Sequence, residues 1–408
     1  MKIEKITLAS SDKCINVAAG QVESLRINND LTNTVRVYDG GNIGVEGKLG
    51  NADLDKMVET AKAKLSQGIT YPETHSEPRQ MHVDTTKHIM DAAEFVPATQ
   101  RLLARLAKEN PQFLFSNKVQ LNSSEATYAD SDGTDLYYKG NQYVISLAIK
   151  YKGSANIMDE FYGAESDYYD EDEICADVKR KCDAFLTELP QIAEDEIVVV
   201  GDLEPIQYAI SNFLAEYYFS GASLFNGKLG QKLFSDKFSL LVDRDPKRQI
   251  NAKFFDAEGV VNPDFVNYLV KDGVFKGLLT CKKSAAQFGV DNIGNAAAPY
   301  DGVPSFGGAC LDVAKCDKSV QQLARGKAIY LSVSSGGDMT PSGDIAMPAI
   351  VAYLLEDGRI KGRLPEFVVS GNLFDILGKD YIGTTDKGFF TFGKQSFFVY
   401  KAKLVNKK

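Results

Sequence analysis

Short alternating segments and amphipathic stripes follow one another along the first half of the chain. Thr34–Tyr38 alternates apolar and polar residues, which predicts a half-buried strand that ends in the turn signal Asp39-Gly40-Gly41. The same reasoning predicts helices over 51–65 and 97–108 and strands over 118–128 and 142–151. The first half therefore predicts a mixed α/β domain.

A change of pattern near residues 190–196 predicts a domain boundary. A helix is predicted from about Asp170 to Leu189, and Pro190 ends it. Ile197–Val200 then reads as a buried strand. No linker rich in glycine and serine separates the two parts, so we expect domains over 1–192 and 193–408 that pack against each other.

The second half begins with an amphipathic segment and continues with strands. Pro205–Phe219 places its apolar residues on one face, which predicts one continuous helix with proline in its first turn. Asp272-Gly273 and Asp357-Gly358 each predict a hairpin turn. Strands are predicted over 238–243, 266–271, 329–334, 349–356, 366–370 and 397–401. The expected fold class is α+β, with a β-rich and mostly antiparallel C-terminal domain.

Composition and charge narrow the classes of function. Hydrophobic residues make up 44% of the chain and charged residues 25%, as in an ordinary globular protein. The formal net charge of −9 argues against nucleic acid as a partner, because phosphates require a basic face. No signal peptide and no apolar run long enough to cross a bilayer is found, so we predict a cytoplasmic protein without a membrane partner.

Residues that commonly bind metals are few and scattered. The six cysteines form no Cys-x-x-Cys pair, which favours reduced, buried thiols over a metal cluster. The three histidines, His75, His82 and His88, lie close together in one segment, and a histidine-based site could come only from there. We expect these histidines to lie on the surface or in loops.

Two other motifs invite a chemical interpretation that we do not favour. The acidic segment 165–173 could bind a cation, but acids also stabilise the start of a helix, and that is the expected role here. Ser334-Ser-Gly-Gly-Asp338 resembles a nucleophile elbow, yet no histidine lies near it in the sequence. Neither segment predicts a catalytic site.

A series of short motifs over residues 120–380 occurs in an order that is found in a known family. The main segments are Asp130–Gly133, Gly227–Leu233, Leu240–Asp243, Phe255–Gly259, Leu269–Gly277, Ser284–Ala286, Gly294-Asn295, Ser342–Asp344, Tyr353–Gly358 and Ser370–Leu373. Together they resemble the TldD/PmbA family of metallopeptidases, which is also named for modulation of DNA gyrase. Nothing in the residues supports direct contact with gyrase or DNA.

The resemblance implies that a zinc site has been lost. The proteolytic members of the family carry HExxxH on a helix and a cysteine in the C-terminal domain, and the glutamate acts as general base for a zinc-bound water. The matching segment here is Ala215-Glu216-Tyr-Tyr-Phe-Ser220, and Ala349 stands near the cysteine position. Ala215, Ser220 and Ala349 thus replace the ligands, so no metal or other cofactor is expected. Glu216 is the one candidate catalytic residue, and a solvent-facing glutamate is the alternative interpretation.

Three functions remain open at this stage. The resemblance implies a PmbA/TldE-like, metal-free subunit that pairs with a zinc-bearing TldD-like chain, and this pair would cleave unfolded peptides. Exposed strand edges in a β-rich domain suit peptide binding through main-chain hydrogen bonds. The first alternative is a stand-alone homodimeric peptide-binding or scaffold protein without protease activity. The second is an enzyme that uses aspartate and glutamate with a metal taken from solution.

Overall fold

The N-terminal half forms one seven-stranded sheet with helices on it. The computed structural model describes residues 1–406. The elements are β1 (Lys2–Ala18), β2 (Gln21–Asp39), β3 (Asn42–Leu49), α1 (Leu54–Lys64), β4 (Gln80–Asp84), α2 (Phe95–Glu109), β5 (Phe113–Asp130), β6 (Asp135–Tyr151), β7 (Glu160–Ser166) and α3 (Glu171–Leu186), with a 3-10 turn at Leu65–Gln67. The strand order is β3-β2-β1-β5-β6-β4, and β7 also pairs with β6. All pairs are antiparallel except β4 with β6.

The helices of this half begin at capping residues and bury one apolar stripe each. The Asp53 side chain accepts hydrogen bonds from the first backbone N–H groups of α1, and Asp170 does the same for Glu173 in α3. The acidic segment before α3 therefore includes the residue that caps the helix. Apolar residues of α1 pack on β2, and those of α2 and α3 pack on β5 and β6.

The C-terminal half is richer in strands. Its elements are β8 (Glu196–Gly201), α4 (Glu204–Ala209), α5 (Ala215–Phe219), β9 (Leu240–Asp243), β10 (Val266–Lys271), β11 (Val274–Phe275), α6 (Lys282–Phe288), β12 (Ala296–Ala297), β13 (Ser305–Phe306), β14 (Leu311–Val313), α7 (Val320–Leu323), β15 (Lys327–Ser334), β16 (Asp338–Met339), β17 (Asp344–Glu356), β18 (Arg359–Arg363), β19 (Phe367–Asn372), α8 (Leu373–Ile376), β20 (Tyr381–Thr385) and β21 (Phe397–Asn406), with 3-10 turns at Ile210–Phe213 and Pro263–Phe265.

Five of these strands close into a ring. The strand order is β15-β8-β21-β19-β17, and the ring closes because β17 also pairs with β15. Within the ring only β8 and β15 run parallel. Closure removes the free edges that an open sheet would expose. A smaller sheet has the order β11-β10-β9-β14. Buried residues of the ring join one large core with α4, α5 and the small sheet.

The observed fold confirms the α+β class and the mostly antiparallel, β-rich C-terminal half. Both predicted hairpin turns are confirmed, since Asp272 and Gly273 have φ of 50° and 78°, and Asp357 and Gly358 have φ of 49° and 71°. The two halves share a core, because β17 packs its outer face against the N-terminal sheet and α3. The boundary between 1–192 and 193–408 stays a prediction. None of the described helices is both long and apolar enough to span a bilayer.

The continuous helix predicted over residues 205–219 is wrong. Leu214 interrupts it with an extended backbone, at φ −67° and ψ 132°. Leu214 forms a parallel bridge with Leu279, and the Leu279 backbone bonds to both sides of the break, accepting from Ala215 N at 3.2 Å and donating to Phe213 O at 2.7 Å. Tertiary pairing therefore replaces the helical hydrogen bonds at this point.

Candidate functional site

The family motif falls on α5, directly after the break at Leu214. Ala215 begins this helix and has none of its surface exposed. Glu216 is exposed on the other side of the helix. Ser220 ends the helix, and its hydroxyl donates to the Tyr217 carbonyl at 2.9 Å. The segment thus presents a buried methyl, an exposed carboxylate and a hydroxyl that is already hydrogen-bonded.

Ala349, the third candidate position, lies in the same core as Ala215. It sits on β17, with Ser334 opposite on β15 and Phe367 opposite on β19, and 1% of its surface is exposed. Both alanines belong to the large apolar cluster of the C-terminal half. The structure therefore brings the two positions into one core and leaves Glu216 outside it.

These residues do not fit a zinc ion. Zinc requires thiolate, imidazole or carboxylate ligands, and the buried methyl groups of Ala215 and Ala349 offer no lone pair. Between residues 1 and 406, no group of three or more His, Cys, Asp or Glu side chains is arranged to hold a metal. No hydrolytic step through a metal can be assigned to this segment. The assignment of Glu216 as a catalytic residue stays a prediction.

A hydrogen-bonded cluster that sequence reasoning missed lies beside this region. Glu204, at the start of α4, accepts from the Ser334 hydroxyl at 2.6 Å and from the Tyr208 hydroxyl at 2.7 Å. The pKa of Tyr208 is raised well above its usual range. The larger cause is burial of the hydroxyl, and the second is its hydrogen bond to the Glu204 carboxylate. A Cβ at Gly337 would overlap the Tyr208 hydroxyl and crowd the Ala346 carbonyl, so a larger residue there would displace this hydroxyl.

This cluster lacks the parts of a hydrolase site. Ser334 belongs to the segment that resembles a nucleophile elbow, and its partner is a carboxylate rather than an imidazole. The Glu204–Tyr208 pair, one helical turn apart, was readable as an i,i+4 contact. The hydrogen bond between Ser334 and Glu204 could not be predicted in this way, because it joins a helix to a strand that is distant in the sequence.

The three histidines lie apart from this region, on the N-terminal sheet and the loops beside it. All three are exposed, as expected. His75 Nδ1 lies 2.8 Å from Asp132 Oδ1, and His82 Nε2 lies 3.3 Å from Asp135 Oδ2. All six cysteines are free thiols, with four of them buried.

A buried polar network joins the N-terminal sheet to the loops of the C-terminal half. Glu4 on β1 contacts Arg36 Nη1 at 3.4 Å and Lys282 Nζ at 3.0 Å, and it accepts from the Tyr38 hydroxyl at 2.9 Å. Burial opposes ionisation of Glu4, yet the two cations keep its pKa below the usual value. This carboxylate therefore stays charged inside the protein.

Glu258 is the second carboxylate of this network. Its two oxygens accept from the Tyr71 hydroxyl and from the Lys282 backbone N–H, the latter at 2.8 Å. Burial and the nearby Asp256 raise the pKa of Glu258 to about 7, against the attraction of Lys282. Glu258 belongs to the family-like segment 255–259, but its buried position was not predicted.

A third cluster links α3 and β7 to the ring. Lys181 Nζ contacts Glu160 Oε1 at 3.2 Å, donates to Ser332 Oγ at 2.6 Å and lies 5.5 Å from the centre of the Tyr330 ring. The Tyr353 hydroxyl donates to the other oxygen of Glu160. The cluster borders a cavity of about 240 Å³, and its charged groups are paired with each other.

Comparison with protein families gives a match within the C-terminal half of the chain. Residues 204–393 match the model of the PmbA/TldA metallopeptidase C-terminal domain. A metalloprotease of Methanothermobacter thermautotrophicus is 28% identical over 166 residues, which are 40% of this chain and 36% of that protein. A metalloprotease TldD homolog of Haemophilus influenzae is 27% identical over 39% of this chain and 33% of its own length. The chain thus spans about a third of each of these relatives.

Comparison with solved structures extends the likeness to the whole fold. The crystal structure of TldE from Thermococcus kodakarensis superposes with a TM-score of 0.80. The alignment covers 99% of this chain and 96% of that one, at 16% sequence identity. At this identity the match demonstrates a common fold, including the N-terminal sheet, which lies outside residues 204–393.

Proposed function

Because the chain belongs to the PmbA/TldD family, we propose that it is the metal-free subunit of a peptidase whose other subunit carries zinc. In this assembly it binds unfolded peptides and forms part of the cleft, while the partner performs the hydrolysis. The assembly acts in the cytoplasm and involves neither nucleic acid nor a membrane. The net charge of −9 is consistent with the absence of nucleic acid from this assembly.

The observation that carries the proposal is the burial of the ligand positions. Ala215 and Ala349 lie within a packed apolar core, with 0% and 1% of their surfaces exposed. Placing imidazole and thiolate ligands there would require repacking of that core as well as two substitutions. Glu216 alone could offer a general-base contribution on the order of a hundred- to ten-thousand-fold, far below what amide hydrolysis needs.

Peptide binding is supported by a long free edge of the N-terminal sheet. Within the described chain, β3 pairs only with Thr32–Asp39 of β2, so residues 21–30 pair with β1 alone. Leu25 and Ile27 on this edge expose 43% and 52% of their surfaces. An extended peptide could add a strand here through its main chain, with little demand on its sequence.

The decisive experiment compares cleavage of an unfolded peptide by three preparations. These are this chain alone, this chain with a TldD-type chain that carries HExxxH, and the same pair with Glu216→Gln in this chain. We expect no cleavage by the chain alone, activity in the pair that a chelator abolishes, and nearly unchanged activity in the variant pair. The partner's own glutamate would transfer the proton in both pairs.

Two outcomes would contradict the proposal in different ways. Robust cleavage by this chain alone, together with loss of the paired activity on Glu216→Gln, would mean that Glu216 is catalytic. Stable self-association without any binding to the TldD-type chain, measured by light scattering of the mixture, would favour the stand-alone scaffold.

A further inference from the structure

A cavity of about 240 Å³ opens where the N-terminal sheet meets the closed ring of the C-terminal half. Its lining comes from β7 and α3 on one side and from β8, β15 and β21 on the other. None of the residues of the zinc-motif segment 215–220 takes part in this lining. The cavity is therefore separate from the segment at which the family's catalytic motif has been lost.

Aromatic rings form much of the wall of this cavity. Tyr330, Phe390 and Phe397 line it, and the centre of the Phe390 ring lies 5.8 Å from that of Tyr330 and 6.5 Å from that of Phe397. Phe161 also lines it, with 37% of its surface exposed. The faces of such rings carry partial negative charge and attract cations. The wall thus favours a positively charged group over a negatively charged one.

The protein itself places a lysine against these rings. The Lys181 ammonium lies 5.2 Å from the centre of the Phe390 ring, and Glu160 Oε1 neutralises it at 3.2 Å. The same ammonium donates to the Ser332 hydroxyl at 2.6 Å and to the Phe161 carbonyl at 2.9 Å. All three of its donors are used, so Lys181 offers nothing to an anion and its charge is balanced inside the protein.

An arginine near the same rings is paired in the same way. The guanidinium carbon of Arg180 lies 5.9 Å from the centre of the Phe390 ring. Its Nη1 contacts Asp177 Oδ1 at 3.1 Å and also donates to the Phe389 carbonyl. Arg180 therefore adds no unbalanced positive charge at the cavity.

Asp202 is the charged group of the lining that the protein leaves without a counter-ion. It directly follows β8, and its Oδ1 accepts from the Glu204 backbone N–H at 2.8 Å. Throughout residues 1–406, no lysine, arginine or histidine forms an ion pair with its carboxylate. Glu204 itself is bonded to the hydroxyls of Ser334 and Tyr208, so it adds further negative charge beside Asp202. The charge balance of the cavity is therefore negative.

We propose that this cavity binds the positively charged end of an organic molecule, an alkylammonium or guanidinium group, between the aromatic wall and the Asp202 carboxylate. The carboxylate accepts from the N–H groups of the cation, and the Ser396 hydroxyl in the lining offers a second acceptor. The rings contact the alkyl part and attract the charge. Two sources carry such a group, namely a free amine and a lysine or arginine side chain of a peptide. The site stands apart from the proposed peptidase role.

Isothermal titration calorimetry of this chain alone tests the site and separates the two sources. Cadaverine serves as the free amine, and the N-acetyl amides of lysine and arginine serve as peptide side chains. The N-acetyl amides of norleucine and glutamate provide a neutral and an acidic comparison. We expect at least one cationic probe to bind with a dissociation constant about tenfold or more below that of the norleucine compound. Tighter binding of cadaverine assigns a free amine, and tighter binding of the amino-acid amides assigns a side chain.

Substitutions of lining residues test the two halves of the interaction. Asp202→Asn should raise the dissociation constant of the cationic probe about tenfold, and it keeps the oxygen that accepts from Glu204 N–H. Phe161→Leu keeps an apolar side chain without a ring and should raise this constant about threefold or more. Asp301→Asn changes an exposed acid outside the cavity and should bind as the unsubstituted chain does. Thermal melting without a probe checks that each variant is folded.

Either of two results overturns the proposal. One is that the unsubstituted chain binds the cationic probes no more tightly than the norleucine compound. The other is that the folded Asp202→Asn variant binds the cationic probe as tightly as the unsubstituted chain, since the carboxylate would then not be its partner. Neither result bears on the peptidase role, because the titration involves no cleavage and no zinc-bearing subunit.

Discussion

Glu258 should make the folded protein less stable as the pH rises from 5 to 8. Its side chain is 2% exposed and accepts from the Tyr71 hydroxyl and the Lys282 backbone N–H. Burial and the proximity of Asp256 raise its pKa from 4.5 to about 7. Glu258→Gln removes this titration and keeps a side chain of the same shape, which can still accept from Lys282 and donate to the Tyr71 oxygen.

The sign and the size of the effect follow from the proton count. Between pH 4.5 and about 7 the folded chain holds this proton and the unfolded chain does not. The contribution of Glu258 is therefore complete below pH 4.5 and is lost as the pH rises through about 7. At about 1.4 kcal/mol for each pH unit, the loss amounts to about 3 kcal/mol.

Urea unfolding at several pH values between 5 and 8 measures this loss. The free energy of unfolding should fall by about 2–3 kcal/mol more in the unsubstituted protein than in Glu258→Gln over this range, because part of the total loss occurs below pH 5. Glu216→Gln changes an exposed carboxylate in the same way and should give the curve of the unsubstituted protein. Parallel pH profiles for the unsubstituted chain and Glu258→Gln would refute the assignment of a neutral, buried Glu258.

Three further predictions concern pairing, packing and metal content. Lys181→Met should lower the free energy of unfolding in urea by about 3–5 kcal/mol, because it leaves the buried Glu160 without its cation. Adding Glu160→Gln to this variant should recover part of the loss. Gly358→Ala should cost about 2–4 kcal/mol, because its Cβ would overlap Gln321, whereas Gly336→Ala shares the positive φ without a clash and should cost about 1 kcal/mol. Elemental analysis after dialysis against a weak chelator should find far less than one zinc per chain, and about one would contradict the loss of the site.

Local patterns predicted the elements whose determinants lie within a few residues. The Asp-Gly turns at 272–273 and 357–358 were predictable because the required positive φ is set by those residues themselves. The long strand β1 was not predicted, because its middle residues, Ser10-Ser11-Asp12, are polar. They lie between the part of the sheet that α1 covers and the part that α2 covers. Such residues favour turns in isolation and are held extended here by β2 and β5.

The candidate site could be located from the sequence only as a set of missing ligands. The motif placed Ala215 and Ala349, and the structure shows that they share one core. The sequence motif could not show that Leu279 pairs with Leu214 and ends the preceding helix before Ala215. That contact depends on the tertiary structure. The buried contact between Glu4 and Lys282 likewise joins residues from opposite halves of the chain, and neither side chain signals its partner locally.

The closed ring of strands has a consequence for how the chain acquires its structure during synthesis. β8 forms at residues 196–201, but its two neighbours are β15 at 327–334 and β21 at 397–406. A ribosome must add about 200 further residues, on the order of ten to forty seconds of elongation, before β21 can pair with β8. Throughout that interval the valines of β8 have an unpaired edge, so we expect the nascent chain to be most prone to aggregation before β21 has been made.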